Sequence, residues 1–392
     1  MEIRLTPDQR ALLDQVRRFA ERDILPHERD ADRNPHYGRD LLKRLGQGRL
    51  LGLNLPEEYG GVGLSHLDGA LCIEEMGRHS LDAAGCMAAA SLGQAYYILS
   101  FGSAAHRQKY LPAICAGDYT TAIAITEPGA GTASTALSTR ATFADGRIVL
   151  NGRKHYVSNV PNAGLFIVYA RVGTRSGSSG ICAVLVERDT PGFTIARLSE
   201  NMAGHHQADL LFENCSVPES QLLLPEGSFR DLTRCYNLER VGGTAAVLGT
   251  AIGAYDRALA HVQMRQQFGR DLIDFQAVQL KVANMATQIQ AARLMIHHAL
   301  TDMDDEFPGP LNASMCKVFG NETAKMVCDE SIQIMGAAGY LKDSGVERRY
   351  RFVRGFSIAG GPLDIHRTMI AGWLTNRRFS QWAPPVQLPG RD

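Results

Sequence analysis

Strand-like sequence lies between two long stretches with helical spacing, and this order constrains the fold more than any other feature. Up to about residue 116, apolar residues recur every three or four positions, as in amphipathic helices. From about 120 to 217 short alternating runs replace this spacing, and Asp145-Gly146 is a hairpin signal between two of them. After Pro225 the helical spacing returns. Strands grouped apart from helices predict an α+β fold with a helical bundle, a β domain and a second helical bundle.

Individual elements and boundaries follow from the same spacing. Thr6 is a hydroxyl N-cap, Pro7 occupies the first helical position, and Gln9 completes the capping pattern of a first helix. Further helices are expected over 40–53, 66–78, 81–101, 104–116 and 229–266. Strands are expected at 141–144, 147–150, 164–172, 180–187, 193–198 and 208–217. We therefore expect three domains, at 1–119, 120–226 and 227–392.

Composition and charge exclude several classes of function. The 392 residues are 45% hydrophobic, with 41 Lys plus Arg against 41 Asp plus Glu. A balanced charge gives no basic surface for nucleic acid or for anionic lipid. The chain also lacks a run of about 20 apolar residues that would span a membrane and an apolar signal-peptide core, so a cytoplasmic location is expected. Its eight cysteines include no Cys-x-x-Cys pair, and no metal site is expected.

Two segments about one hairpin apart have the composition of a ring-binding site. Ile125 ends an apolar run, and the turn from Thr126 to Gly131 contains Pro128 and two glycines. Such a turn lets backbone N–H groups approach a ligand closely. Lys154 to Asn159 follows, and its Ser158 hydroxyl can make a directed hydrogen bond. Together these segments predict a site for a flat ring with polar edges.

With three further motifs in order, the chain resembles the acyl-CoA dehydrogenase family from Leu55 to Arg367. These motifs are Arg265-Gln266-Gln267-Phe268-Gly269, Phe275-Gln276, and the glycine-rich segment from Gln333 to Tyr340. The resemblance implies an N-terminal helical bundle, a middle β-barrel domain and a C-terminal four-helix bundle. It also implies FAD as the cofactor and a homo-oligomer, usually a tetramer built as a dimer of dimers.

The resemblance assigns contacts with FAD to particular residues. Thr126 would bond the pyrimidine edge of the flavin, Tyr156 would lie against its ring, and Ser158 would bond near N5. The pyrophosphate and adenosine portions would be held by Arg265, Phe268, Gln276 and Gln333. The remaining implied cofactor-binding positions are Ile125, Gly131, Thr132, Phe275, Gly336 and Asp364. Taken alone, Arg265 and Phe268 also fit an ordinary surface arginine and a core phenylalanine.

Dehydrogenation of an acyl thioester requires a base that takes the α proton. Many family members place a Glu near the C-terminus, but the matching position here is Gly360. A branch that includes isovaleryl-CoA dehydrogenase places it on the first helix of the C-terminal domain, where this chain has Leu238-Glu239-Arg240. Glu239 is therefore the predicted base, with a pKa raised by burial. The alternative is an exposed helix glutamate paired with an arginine. Arg240 either orients the substrate or forms a surface ion pair.

Departures from the family pattern bear on the substrate. Ala359 and Gly360 replace what is often an aromatic residue and a Glu, which enlarges the expected cavity and favours a branched or functionalised acyl group. The thioester could be carried by CoA or by an acyl or peptidyl carrier protein, since both present phosphopantetheine. An electron-transfer flavoprotein is the usual electron acceptor in the family. Two alternatives stay open: an oxygen-using flavin monooxygenase or oxidase on the same fold, and a non-catalytic scaffold that binds an acylated carrier.

Overall fold

The N-terminal segment is helical, and its first helix begins as the sequence predicts. The computed structural model describes residues 4–28, 36–303, 306–377 and 379. At the start of α1, the Thr6 hydroxyl accepts a hydrogen bond from the Gln9 N–H, and the Gln9 side chain accepts one from the Thr6 N–H. The helices of this segment are α1 (Pro7–Phe19), α2 (Leu25–Glu28), α3 (Tyr37–Gln47), α4 (His66–His79), α5 (Leu81–Ser91), α6 (Gln94–Phe101) and α7 (Ala104–Cys115).

Two helices in this segment differ from the expected bounds. The helix expected over 40–53 ends at Gln47, and turns follow it. The helix expected over 81–101 is two helices, because Gly93 adopts φ −120° and ψ −126° between them. A Cβ at Gly93 would lie 2.9 Å from the Ala88 carbonyl oxygen, so the chain turns where only a glycine fits. This break aims the start of α6 towards the C-terminal helices.

The middle segment forms one hydrogen-bonded sheet. Its strands are β1 (Thr120–Ala124), β2 (Arg140–Ala144), β3 (Arg147–Ser158), β4 (Ala163–Val172), β5 (Ile181–Glu187), β6 (Phe193–Glu200), β7 (His206–Pro218) and β8 (Leu222–Leu224). The order is β6-β7-β3-β2-β4-β5-β8, and β1 pairs in parallel with β4. The predicted hairpin is confirmed, since β2 and β3 pair antiparallel around Asp145 and Gly146. Buried residues on one face, such as Ile148, Phe166 and Phe212, form a core within this segment.

The C-terminal segment is again helical, with a short hairpin after its first helix. Its elements are α8 (Phe229–Met264), β9 (Gln266–Gln267), β10 (Arg270–Asp271), α9 (Gln276–Thr301), α10 (Pro310–Met335), α11 (Ala337–Tyr340), α12 (Val346–Phe356) and α13 (Leu363–Thr375). No helix in the described part of the chain is both long and apolar enough to cross a membrane.

Small residues let α8 lie directly against α4. A Cβ at Gly249 would lie 2.1 Å from the Glu74 carbonyl oxygen, and one at Gly77 would lie 2.8 Å from the Ala246 carbonyl oxygen. The backbones therefore touch, and this contact joins the two helical segments into one core. The division of the chain into domains at 119 and 226 stays a prediction.

Candidate active site

Glu239 lies about three turns into α8 and faces α6 rather than solvent. Its side chain is half-buried. Oε1 accepts a hydrogen bond from Gln94 Nε2 at 2.9 Å. Oε2 is buried and has no hydrogen-bond partner among the described residues. The alternative of an exposed glutamate paired with an arginine is therefore wrong.

Burial controls the proton affinity of Glu239. It raises the pKa of this carboxyl to about 7, while Arg240, the Gln94 hydrogen bond and Lys317 act in the opposite direction. The raised pKa that the sequence analysis expected from desolvation is thus present. A carboxyl with this pKa is close to half ionised at neutral pH, so it can both take and release a proton.

Arg240, the next residue, contacts the loop that follows α12. Its Nε donates to the Gly360 carbonyl oxygen at 3.0 Å, and its Nη1 donates to Asn237 Oδ1 at 2.7 Å. The guanidinium also lies 4.7 Å from the centroid of the Tyr236 ring. Among the described residues no carboxylate lies within ion-pair distance of it, so the expected surface ion pair is not formed. A role in orienting substrate stays a prediction.

Lys317, on α10, holds the same loop from the other side. The side chain is buried, and its Nζ donates to the carbonyl oxygens of Phe356 at 3.1 Å and Ala359 at 2.7 Å. Burial, followed by the charge of Arg240, lowers the pKa of Lys317 to about 7. A Cβ at Gly360 would lie 3.3 Å from this Nζ. Arg240 and Lys317 therefore lie near both the backbone at position 360 and the carboxyl of Glu239.

His366, on α13, completes the support of the loop. Its Nε2 lies 3.1 Å from the Gly360 carbonyl oxygen and its Nδ1 lies 3.1 Å from Ser314 Oγ. A carbonyl oxygen only accepts, so Nε2 carries the proton. Burial, followed by the charge of Arg240, lowers the pKa of His366 to about 3, and the ring is neutral.

Gln94, Lys317 and His366 belong to this site, although no motif in the sequence predicts them there. Lys317 stands between Cys316 and Val318 in an otherwise apolar turn of α10, and this was the available signal. A lysine among apolar residues is seldom buried without partners.

The two ring-binding segments lie side by side, as predicted. The Thr126 carbonyl oxygen accepts a hydrogen bond from the His155 N–H at 2.8 Å. Lys154 Nζ donates to the Ile125 carbonyl oxygen at 3.0 Å and lies 2.7 Å from Glu127 Oε1. A bulge in β3 between Lys154 and Val157 interrupts its pairing with β7. Tyr156 lies in this bulge with φ +55°, and its side chain is 62% exposed.

The Lys154–Glu127 pair is buried beneath the segments and ties them together. Burial alone would raise the pKa of Glu127, but the Lys154 ammonium and hydrogen bonds from Ser138 and Thr139 lower it to about 2. Burial lowers the pKa of Lys154 to about 8, against the attraction of Glu127. The pair is ionised at neutral pH and was not anticipated as a unit, although both residues lie in the predicted motifs.

The turn after β1 fits the edge of a flat ligand. Glu127 and Ala130 pair through two backbone hydrogen bonds of 3.1 Å. Beyond them, Gly131 and Thr132 are exposed, and within the described residues their N–H groups have no backbone partner. A Cβ at Gly131 would meet no atom within 4 Å. Open N–H groups in this turn, together with the exposed Tyr156 and Ser158 of β3, suit a ring with polar edges, so these residues fit a flavin.

The residues expected at the phosphate and adenosine end are exposed at the ends of helices. Arg265 caps α8, Gln276 begins α9, and Gln333 and Gly336 lie at the end of α10. Phe268, in the β9–β10 hairpin, is 94% exposed with φ +52°. An exposed phenylalanine in strained backbone is unusual for a residue without a partner surface.

The last two predicted cofactor positions lie in different surroundings. Phe275 is half-buried and its ring centroid lies 3.9 Å from the Arg270 guanidinium. Asp364, at the start of α13, has a side chain 91% exposed and pairs with Arg367 at 2.9 Å. Contacts of either residue with FAD stay predictions.

Family models match most of the chain. The N-terminal domain of acyl-CoA dehydrogenase matches residues 6–118, the middle domain matches 122–215, and the C-terminal domain matches 229–375. The chain belongs to the acyl-CoA dehydrogenase family. This confirms the predicted fold, and with it the cofactor FAD and the reaction, α,β-dehydrogenation of an acyl thioester by an oxidoreductase acting on CH–CH groups.

Individual relatives span nearly the full length. The 3-sulfinopropanoyl-CoA desulfinase of Paraburkholderia xenovorans (strain LB400) is 36% identical, over 96% of this chain and 98% of that protein. The mitochondrial isovaleryl-CoA dehydrogenase of Arabidopsis thaliana is 34% identical, over 91% and 88%.

Solved structures of the family superpose closely. The butyryl-CoA dehydrogenase of Megasphaera elsdenii has a TM-score of 0.88 at 30% identity, over 96% of this chain and all of that one. The prolyl acyl carrier protein oxidase AnaB has a TM-score of 0.88 at 27% identity, over 95% of this chain and 100% of that one.

Proposed function

We propose that Glu239 is the base that removes the α proton of the acyl thioester. The observation that carries this proposal is the state of its carboxylate: Oε2 is buried and has no hydrogen-bond partner in the part of the chain that the structure describes, and burial raises the pKa of the carboxyl to about 7. A buried acceptor that is left unsatisfied is unfavourable for folding and is therefore typical of a site that meets a ligand. Gly360, at the position where other members have the acid, has no side chain that could take the proton.

The other residues assigned to the site would hold FAD. FAD, when bound, supplies the acceptor for the β hydride. Thr126, Tyr156 and Ser158 would hold its ring, while Arg265 would contact its pyrophosphate through paired guanidinium donors. We also propose contacts with FAD at the other positions that the resemblance assigns to cofactor binding, namely Ile125, Gly131, Thr132, Phe268, Phe275, Gln276, Gln333, Gly336 and Asp364.

The loop at 356–361 shapes the space for the acyl group. Arg240 and Lys317 bind its carbonyl oxygens, so the loop is held without a side chain at position 360. The volume that a glutamate would fill there is left for substrate. We propose that this space takes a branched or functionalised acyl group, bounded by Ala359 and Gly360.

We propose a chemical class for the thioester carrier and for the electron acceptor. CoA and carrier proteins share the phosphopantetheine arm, and relatives named for each superpose on this chain. An electron-transfer flavoprotein is the proposed acceptor. Comparing turnover of one acyl group on CoA and on a carrier protein separates the carriers, and oxygen consumption separates an oxidase or monooxygenase from a dehydrogenase.

Exposed apolar side chains support the proposal of a homo-oligomer, such as a tetramer. Phe268, Tyr340, Met264, Leu280 and Leu341 are 94%, 81%, 76%, 65% and 60% exposed. Tyr340 ends the glycine-rich segment that begins at Gln333, and the resemblance implies that this segment meets the adenosine half of FAD across a subunit contact. Light scattering on the purified protein should give about four times the chain mass of 42.8 kDa; a mass of one chain would contradict the proposal.

Replacing the proposed base tests the function directly. Glu239→Gln keeps the size of the side chain and removes the basic oxygen, so flavin reduction by an acyl thioester should slow by about 10²-fold or more. The matched control is Glu322→Gln, an exposed glutamate of α10 that pairs with Arg367. Anaerobic stopped-flow absorbance of the flavin measures both. Reduction at the wild-type rate in Glu239→Gln would refute the assignment.

A further inference from the structure

Gln94 reaches Glu239 across 145 residues of sequence. It is the first residue of α6, directly after the turn at Gly93, and its side chain is half-buried. Its Nε2 donates to Oε1 of Glu239 at 2.9 Å, while its own Oε1 is buried without a partner in the described chain. A Cβ at Gly93 would lie 2.9 Å from the Ala88 carbonyl oxygen, so the backbone of this turn packs closely against the end of α5. The turn thereby places the Gln94 amide at the Glu239 carboxylate.

The chemistry of the pair determines which atoms face each other. An ionised carboxylate only accepts hydrogen bonds, so the amide must present its NH₂ group and turn its oxygen away. Oε1 of Glu239 is then engaged and Oε2 is left with free lone pairs. A glutamate side chain has three rotatable bonds and needs such a contact to hold one geometry.

We propose that Gln94 is a positioning residue for Glu239: its amide binds Oε1, fixes the plane of the carboxylate, and leaves Oε2 as the oxygen that takes the α proton. This inference rests on the proposed function of Glu239 as base.

Other groups near the carboxylate act through charge or are neutral. Tyr97 from α6, Tyr169 from β4, and Cys235 and Tyr236 from α8 all have pKa values raised by burial, so they are uncharged at neutral pH. Arg240 from α8 and Lys317 from α10 favour the ionised form of Glu239 by charge. Within the described chain Gln94 alone donates a hydrogen bond to it.

Two variants of the FAD-loaded enzyme test the proposal. Gln94→Leu removes the donor, and Gln94→Met keeps the length of the side chain but likewise has no hydrogen-bond donor. Since the hydrogen bond lowers the pKa of Glu239, both variants should move the acidic limb of the pH–rate profile upward, by about one to two pH units for the lost bond. At the pH of the wild-type midpoint, kcat should fall by about 5-fold to about 50-fold for a shift of this size. KM should change little, because the contact that both variants remove is made with Glu239.

A second readout does not depend on turnover. The infrared carbonyl band of protonated Glu239, identified by its absence in Glu239→Gln, should titrate at higher pH in both Gln94 variants without substrate. Gln108→Leu is the control, because Gln108 is an exposed glutamine on α7. Its band and rates should match wild type.

The outcomes separate this inference from the proposed function. Wild-type midpoints and kcat in Gln94→Leu and Gln94→Met, with an inactive Glu239→Gln, would overturn the role of Gln94 alone. An active Glu239→Gln would overturn the base assignment and this inference with it. If Gln94→Leu fails to fold, Gln94→Met, whose side chain has nearly the same length as that of glutamine, decides.

Discussion

Replacing Glu239 by glutamine should stabilise the protein at alkaline pH, because it removes a buried charge. Burial raises the pKa of this carboxyl from 4.5 to about 7. A carboxyl with a raised pKa in the folded state binds its proton more tightly there than in the unfolded chain, so the free energy of unfolding falls as the pH rises between these two values. The penalty is absent below about pH 4.5, where both states are protonated, and is complete above about pH 7.

The size of the effect follows from the shift. About 2.5 pH units at about 1.4 kcal/mol each correspond to about 3 kcal/mol at pH 8. With an unfolding entropy of about 2.1 cal/mol/K per residue over 392 residues, this equals a rise in Tm of about 4 °C in the Glu239→Gln variant. Glutamine can still accept the Gln94 hydrogen bond, so the geometry is retained.

The assay is the melting temperature of wild type and variant with excess FAD, compared at pH 5 and pH 8. The difference should be small at pH 5 and reach several degrees at pH 8. Glu322→Gln, exposed on α10, should show no such pH-dependent gain. An equal difference at both pH values would refute the claim that the Glu239 carboxyl is desolvated in the folded enzyme.

Three other sites give independent predictions. Glu127→Gln leaves the Lys154 ammonium buried without its carboxylate and should lower the free energy of unfolding by about 3–5 kcal/mol; urea unfolding measures this, and full stability in the variant would contradict an ionised pair. Gly360→Ala places a Cβ at φ +70° and should lower it by about 1–2 kcal/mol in the same assay. Burial alone would raise the pKa of Asp82, but its hydrogen bond with His205 and a neighbouring arginine lower it. The Asp82 carboxylate therefore stabilises the fold at pH values above the pKa that this group has in the unfolded chain. Asp82→Asn should lower Tm at pH 7, and the difference in Tm between variant and wild type should vanish as the pH falls through the acid range.

Helices and strands could be predicted from the sequence where they depend on interactions between residues that are close in the chain. The capping box at Thr6 and the turn at Asp145-Gly146 each depend on residues within four positions of one another, and both form as predicted. The long stretch of small residues in α8 also indicates close packing against another helix, because only glycine and alanine permit backbones to touch. These features need no knowledge of distant parts of the chain.

The missed members of the site depend on contacts between distant segments. Nothing in the local sequence distinguishes Gln94, and it contacts α8 only because the helix breaks at Gly93. Helical spacing over 81–101 predicts no such break. Lys317 is bound by carbonyl oxygens about 40 residues further along the chain. Backbone acceptors have no residue signature, so no motif could identify them.

Moving the acid from the loop to α8 changes what holds the site together. At Gly360 and Gly361 the loop has φ of +70° and +96°, a backbone that a glutamate would adopt only with strain. Arg240 and Lys317 bind the carbonyl oxygens of this loop, so it keeps its shape without an acid of its own. The proposed base then sits on a 36-residue helix whose backbone is fixed by packing. Its side chain is the part that needs to be oriented, and this is the role that we propose for the hydrogen bond from Gln94.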